Sequence, residues 1–233
     1  MNDASMYDVL LQLAKKRRTV RRFKSDPIPA DYITKIIDVA RWAPSGFHTQ
    51  PWEFLVITEK EIKEKVVSIL GQHGPAIRNP NEPATKEDPS QGRFDVAPVF
   101  IILLGDWRAR VGLPEAAQSS DARVDNLFRT SLADAFLSMQ LAAASLGLAS
   151  QWYSAVSGEK VQSAVKALIG IPESLRIFDM MVLGYAAEDP ISKDVRELSE
   201  MIHYNACGVQ DFRTDKEVIA YARKTKAWCL AAH

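Results

Sequence analysis

Apolar residues recur along this chain with two periods, and the points where the period changes mark its elements. Met6, Val9, Leu10 and Leu13 fall at helical spacing within residues 6–16, which run into the basic cluster Lys15 to Arg18. Residues 30–42 predict a second amphipathic helix, with Ile33, Ile36, Ile37 and Ala40 as its apolar stripe. It ends at Ala43-Pro44-Ser45-Gly46, where the proline and the glycine both oppose continuation. Residues 53–58 (EFLVIT) predict a strand and residues 60–70 a helix. Residues 98–104 (PVFIILL) are nearly all apolar and rich in β-branched side chains, as a central strand covered on both faces should be. Residues 125–146 form the longest helical segment, apolar almost all round at Leu127, Phe128, Leu132, Ala135, Phe136, Met139, Leu141 and Ala142. Small residues Ala133, Ser138 and Ala143 permit close approach, so this helix belongs at a domain centre or a subunit interface. Gly147 is its expected cap. Residues 158–168 predict another helix, residues 177–183 (IFDMMVL) a second buried strand, and residues 215–228 a closing helix.

The tally is α+β: a few buried strands among many helices, expected as one domain over residues 1–233 with 203–233 as a C-terminal arm. Residues 71–93 break the pattern. They are rich in Gly, Pro, Asn, Lys and Asp and have no periodicity, which suits an active-site lid or a mobile insertion equally.

Composition narrows the function classes. The 233 residues are 47% hydrophobic, enough for a well-cored domain. Twenty-nine basic and 29 acidic residues cancel, leaving no global field to draw in nucleic acid or an anionic membrane. Cys207 and Cys229 form no C-x-x-C pair, which fits a reduced, cytoplasmic setting. The N-terminus has no apolar run of the secretory kind, and no stretch approaches a membrane span. The four histidines have no ligand spacing, so no metal site is expected.

Two polar constellations interrupt the apolar pattern. The first is Arg17-Arg18-Thr19-Val20-Arg21-Arg22, four arginines and a hydroxyl directly after a helix. Guanidinium forks match phosphate oxygens in a planar, two-bond geometry, and Thr19 adds a short donor. In an extended segment Arg17, Thr19 and Arg21 share one face. Taken alone, the cluster fits a solvated basic turn just as well. The second is the loop from Ala43 to Trp52, with Pro44, Ser45, Gly46, Phe47, His48, Thr49, Gln50 and Pro51 between them. It is rigid at its prolines and dense in hydrogen-bonding groups, as the site of an aromatic heterocycle must be. An ordinary helix-to-strand turn with Trp52 in the core is the alternative.

Together and in this order, these motifs resemble the nitroreductase family of FMN proteins. The matching residues are Arg17 to Phe23, then Ala43-Pro44-Ser45 with Gln50-Pro51-Trp52. Leu146 to Trp152 is similar to the family's G-L-G-x-x-W turn, and Ile171-Pro172-Glu173 through Gly184-Tyr185 to its I-P-E and G-Y stretch. Lys193 and Arg196 match its closing basic residues. The likeness runs from about Val9 to His203.

The resemblance implies a mostly antiparallel central sheet wrapped in helices, an intertwined homodimer and an FMN site at each end of the interface. Arg17, Thr19 and Arg196 match the residues that hold the phosphate and ribityl chain. Arg18 and Arg21 match contacts to the phosphate region and the polar edge of the ring. Pro44, Ser45, Gly46, His48 and Gln50 match the loop that reaches the flavin from the second subunit, with Phe47 against the substrate. Trp152, Tyr153, Ser154 and Ala155 match the turn beside flavin N5. His48 stands where the family often has Asn, and the Trp152 to Ala155 run replaces the more usual glycine. The Ser45 to Thr49 stretch and the Ser154 hydroxyl look more like the iodotyrosine deiodinase branch.

The implied activity is transfer from NADH or NADPH, through FMN, to a nitroaromatic, quinone or similar conjugated acceptor by alternating half-reactions. No side chain is then needed as a catalytic acid or base. The alternatives are a reductive dehalogenase of the deiodinase kind and a flavin-binding protein without nicotinamide-driven turnover.

Overall fold

In the computed structural model, residues 5–73, 94–190 and 193–231 are described. Most of the expected lid, residues 74–93, lies outside the described residues. The described residues form two compact units, one of residues 5–73 and 94–188 and the other of residues 189–190 and 193–231.

The first unit is built on four antiparallel strands in the order β1-β2-β4-β3: β1 Trp52–Ile57, β2 Val99–Asp106, β3 Ala149–Tyr153 and β4 Leu175–Gly184. β2 and β4 hold the centre, and their near-continuous apolar sequences are buried as that position requires. Alternate residues feed two cores. Phe100, Ile102, Met180 and Val182 face helices α3 (Lys60–His73) and α6 (Glu159–Ile169) through Val66, Leu70, Val161 and Val165. Ile101, Leu103, Met181 and Leu183 face α2 (Ala30–Ala40) and α5 (Asp121–Ser145) through Ile36, Ala40, Leu132, Phe136 and Met139. Helix α1 (Met6–Lys16) begins at a reciprocal Ser5–Asp8 cap and keeps its apolar residues Met6, Val9 and Leu10 exposed. Helix α4 (Glu115–Gln118) is a single turn leading into α5.

Helix α5 starts one turn earlier than its apolar run suggests, because Ser120 Oγ accepts the Arg123 N–H. At its other end Gly147 takes the left-handed conformation (φ 76°) just beyond the cap residue Leu146. Leu148 N–H then reaches the Ala143 carbonyl, and Gly147 N–H the Ala144 carbonyl. These two bonds close the helix and turn the chain straight into β3. Leu146 to Trp152 is expected as a turn only; the last four of those residues and their successor Tyr153 form the edge strand β3. On α3, buried Lys63 donates to the Ala97 and Pro98 carbonyls at 2.6 and 3.0 Å, tying that helix to the start of β2.

β4 carries a bulge. Leu103 pairs with Asp179 but Leu104 with Ile177, so Phe178 is an extra residue. The insertion sets Phe178 and Asp179 on the α5 side of the sheet in succession.

The second unit contains two short turns, Leu198–Glu200 and Val209–Asp211, and helix α7 (Asp215–Ala231). Thr214 and Glu217 cap α7 reciprocally, and Lys224 on α7 pairs with Asp194 at 2.8 Å. Among the described residues, no helix is long and apolar enough to cross a membrane.

Candidate functional site

The basic segment runs extended along the outer edge of β3. Val20 N–H donates to the Ser150 carbonyl at 3.1 Å, and Thr19 bridges Ser150 in parallel. Further on, Lys24 N–H reaches Tyr185 O and Ala187 N–H reaches Arg22 O. Buried Val20 and Phe23 anchor the strip, and Thr19 stays exposed. The arginines differ in their surroundings. Arg18 Nη1 donates to the Lys15 and Arg17 carbonyls, which closes the C-terminus of α1. Arg22 pairs with Glu188 at 3.0 Å. Arg21 lies half-buried between them. Arg17 is also half-buried; its burial, and then the neighbouring Arg18 charge, lower its pKa. Among the described residues no carboxylate pairs with Arg17 or Arg18. A cation withdrawn from water beside a like charge favours a bound anion.

Next to this strip, β3 ends in Trp152, Tyr153, Ser154 and Ala155. The Trp152 indole stacks on Phe136 of α5, with centroids 4.1 Å apart, and lies 6.2 Å from Phe178. Its Nε1–H donates to Asp179 Oδ2 at 2.5 Å. Trp152 is therefore a partly buried aromatic packed against the α5-side core. Tyr153 packs on Phe94 at 4.9 Å, and burial raises its pKa. Ser154 is exposed at its side chain, while its carbonyl accepts from Ser157 N–H and Oγ–H. The carboxyl of Asp179 is pushed up to about 6 by burial, against the opposing pull of Trp152, Ser157 and Arg129. Gln151 is buried in the same strand, with its Oε1 unpartnered among the described residues.

The loop before β1 is strained. Phe47, His48 and Gln50 all have positive φ, at 51°, 56° and 44°, a left-handed conformation that costs non-glycine residues roughly 1–3 kcal/mol each. Local bonds hold it. Ser45 accepts Gln50 N–H at Oγ and His48 N–H at its carbonyl; Gln50 Nε2 lies 3.0 Å from His48 Nε2. Gly46 N–H donates to Ser131 Oγ of α5 at 3.1 Å. A Cβ on Gly46 would come within 2.4 Å of the Leu127 side chain, so only glycine lets the loop approach α5 this closely. Pro44, His48 and Phe47 remain exposed, Phe47 by 58%.

The chain thus brings Arg17, Arg18, Thr19 and Arg21 together with Trp152 to Ala155 at one edge of the sheet. Pro44 to Gln50 precede β1, at the opposite edge. Arg196 belongs to the second unit, where it binds Glu200 through its side chain and carbonyl at 3.2 and 2.8 Å. Sequence reasoning missed Ser131, Gln151 and Asp179. For Asp179 a signal existed, since it is the only charged residue within IFDMMVL; nothing marked Ser131 out among the serines.

A model of the nitroreductase family matches residues 14–185, most of the chain. The chain belongs to the nitroreductase family. A protein of Methanothermobacter thermautotrophicus, provisionally named NADH dehydrogenase/NAD(P)H nitroreductase, is 28% identical over 186 residues, covering 80% of this chain and 82% of its own. An iodotyrosine deiodinase of Thermotoga neapolitana is 27% identical over 204 residues, 84% of this chain and 98% of that protein. The fold matches the NADPH:FMN oxidoreductase of Vibrio harveyi, solved with NAD+, at a TM-score of 0.71; that likeness spans 94% of this chain and 85% of the other at 17% identity. As a member of this family the chain is an oxidoreductase.

Proposed function

We propose that the protein holds FMN against the β3 edge and moves electrons from NADH or NADPH to a small conjugated acceptor. The observation that carries this reading is Arg17, half-buried beside Arg18 with no described carboxylate partner and two positions from exposed Thr19. That donor set fits a phosphate monoester, and the adjoining Trp152 to Ala155 turn offers backbone groups to a ring. Bound FMN would supply the redox chemistry, accepting hydride from the nicotinamide and passing electrons on. The protein's part is to fix phosphate and ring, to supply cationic stabilisation near them, and to shape the space above. Arg196, outside the residues that the family model matches, is proposed as a further phosphate ligand on the resemblance of the closing basic residues alone.

The site needs a second copy of the chain. β1 and the basic strip lie on opposite sides of the β2-β4 pair, about 19 Å apart at four strand spacings. A ligand gripped by Arg17 and Thr19 therefore meets Pro44 to Gln50 most readily from a partner. Large apolar side chains left uncovered in the single chain support a homodimer, among them Met6 at 92% and Trp42 at 77% exposure. Phe47, strained and exposed, then becomes a wall against the substrate.

The test is colour. The purified protein, or protein given FMN, should be yellow, bleach under anaerobic NADH or NADPH, and regain colour on adding menadione or a nitrofuran. Protein that takes up no FMN contradicts the reading. A second reading, reductive dehalogenation, draws on one observation: the Ser154 side chain is exposed at the end of β3, where its hydroxyl can accept from a ring N–H or donate to an unprotonated ring nitrogen. Iodide release from 3-iodotyrosine by the dithionite-reduced protein, with no bleaching by either nicotinamide, would favour it.

A further inference from the structure

A carboxylate buried on a central strand needs a reason, and Asp179 has a specific geometry. The β4 bulge at Phe178 sets it on the α5 side of the sheet, where unbroken alternation with Ile177 would pair the two on one face. There it receives the Trp152 Nε1–H at 2.5 Å. The indole is clamped between this bond and the Phe136 ring, and Trp152 leads through Tyr153 into Ser154 and Ala155.

We propose that Asp179 is a positioning residue: its carboxylate fixes the Trp152 indole and, through it, the turn from Trp152 to Ala155 that faces the cofactor. This rests on the flavin reading above only for what the turn faces. An indole N–H bonds a charged carboxylate more strongly than a neutral one, so the hold should weaken when Asp179 takes up a proton. Burial brings that protonation to about pH 6. The groups around it are few. Arg129 approaches from α5, itself paired with Asp125 at 2.6 Å; Ser157 approaches from the turn after β3; Leu103 opposite on β2 is apolar.

The experiment has two readouts. In protein labelled with 15N-tryptophan, the Trp152 indole N–H resonance (assigned from Trp152→Phe) should move with a midpoint near pH 6. In Asp179→Asn, which keeps an acceptor but cannot titrate, it should stay still. An indole signal that does not move, or moves equally in Asp179→Asn, overturns the proposal. Because the first measurement is made on the unaltered protein, it holds even if that variant folds poorly. The second readout is affinity for riboflavin, which carries no phosphate to titrate. Affinity should fall several-fold between about pH 7.5 and about pH 5 in the unaltered protein and be flat in Asp179→Asn. A flat profile in the unaltered protein overturns the link from indole to turn. A titrating indole in protein that takes up neither riboflavin nor FMN supports the hold on Trp152 and refutes the flavin reading instead.

Discussion

Asp179 illustrates how one side chain can be costly to the fold and still be placed with care. Its carboxyl rises from an ordinary 3.8 to about 6 because burial outweighs the donors around it. An acid whose folded pKa is raised binds its proton more tightly in the native state, so stability is highest below pH 4 for this group and falls as pH rises through 6. The loss amounts to roughly 2–3 kcal/mol. Urea unfolding between about pH 4 and about pH 7.5 should therefore show a downward slope that Asp179→Asn removes; an unchanged slope would locate the titration elsewhere. This residue was half-legible in the sequence, since an acid amid IFDMMVL is conspicuous, but its indole partner lies 27 positions away and only the sheet joins them. The arginine strip was legible as a basic cluster directly after a helix. Which of its members are free for a ligand was not, because Arg18 spends its donors on the α1 carbonyls and Arg22 on Glu188.

Elements were legible where one periodicity ran uninterrupted. The buried strands β2 and β4 and the long α5 follow from apolar runs that leave no other way to hide them. Edge strand β3 did not, because ASQWY alternates weakly and owes its strand state to β4 on one side and the Arg17 to Phe23 strip on the other. The junction that delivers it is Gly147, whose φ of 76° completes the α5 cap. No atom lies within 4 Å of a Cβ built there, so Gly147→Ala isolates backbone strain from packing. It should lower stability by about 1 kcal/mol, read as a reduced denaturant midpoint at constant slope. Gly46 differs. There the added Cβ would strike Leu127, so Gly46→Val should push the Ser45 to Gln50 loop off α5, weakening cofactor binding more than it weakens the fold. Flavin affinity and the unfolding midpoint, measured on the same preparation, separate the two effects.

At the scale of the whole molecule, the family, the α+β sheet and the antiparallel order were readable from four ordered motifs and the apolar periods. The resemblance implied a loop that reaches the flavin from a second subunit; the distance between that loop and the arginine strip within one chain stayed hidden. Strand order places Pro44 to Gln50 at the β1 edge and Arg17 to Arg21 beyond β3, a separation no local pattern encodes. We propose that one FMN site is assembled from both edges, each from a different copy. Mixing two defective variants tests it directly. One carries Arg17→Ala with Thr19→Ala, the other Gly46→Val, and each alone should hold little FMN. After the two are unfolded together and refolded in equal amounts, random pairing makes half the dimers mixed, and each mixed dimer has one intact site. Flavin content should then rise to about a quarter of the normal occupancy per chain. If the mixture binds no more FMN than the two variants do separately, the site is built within a single chain.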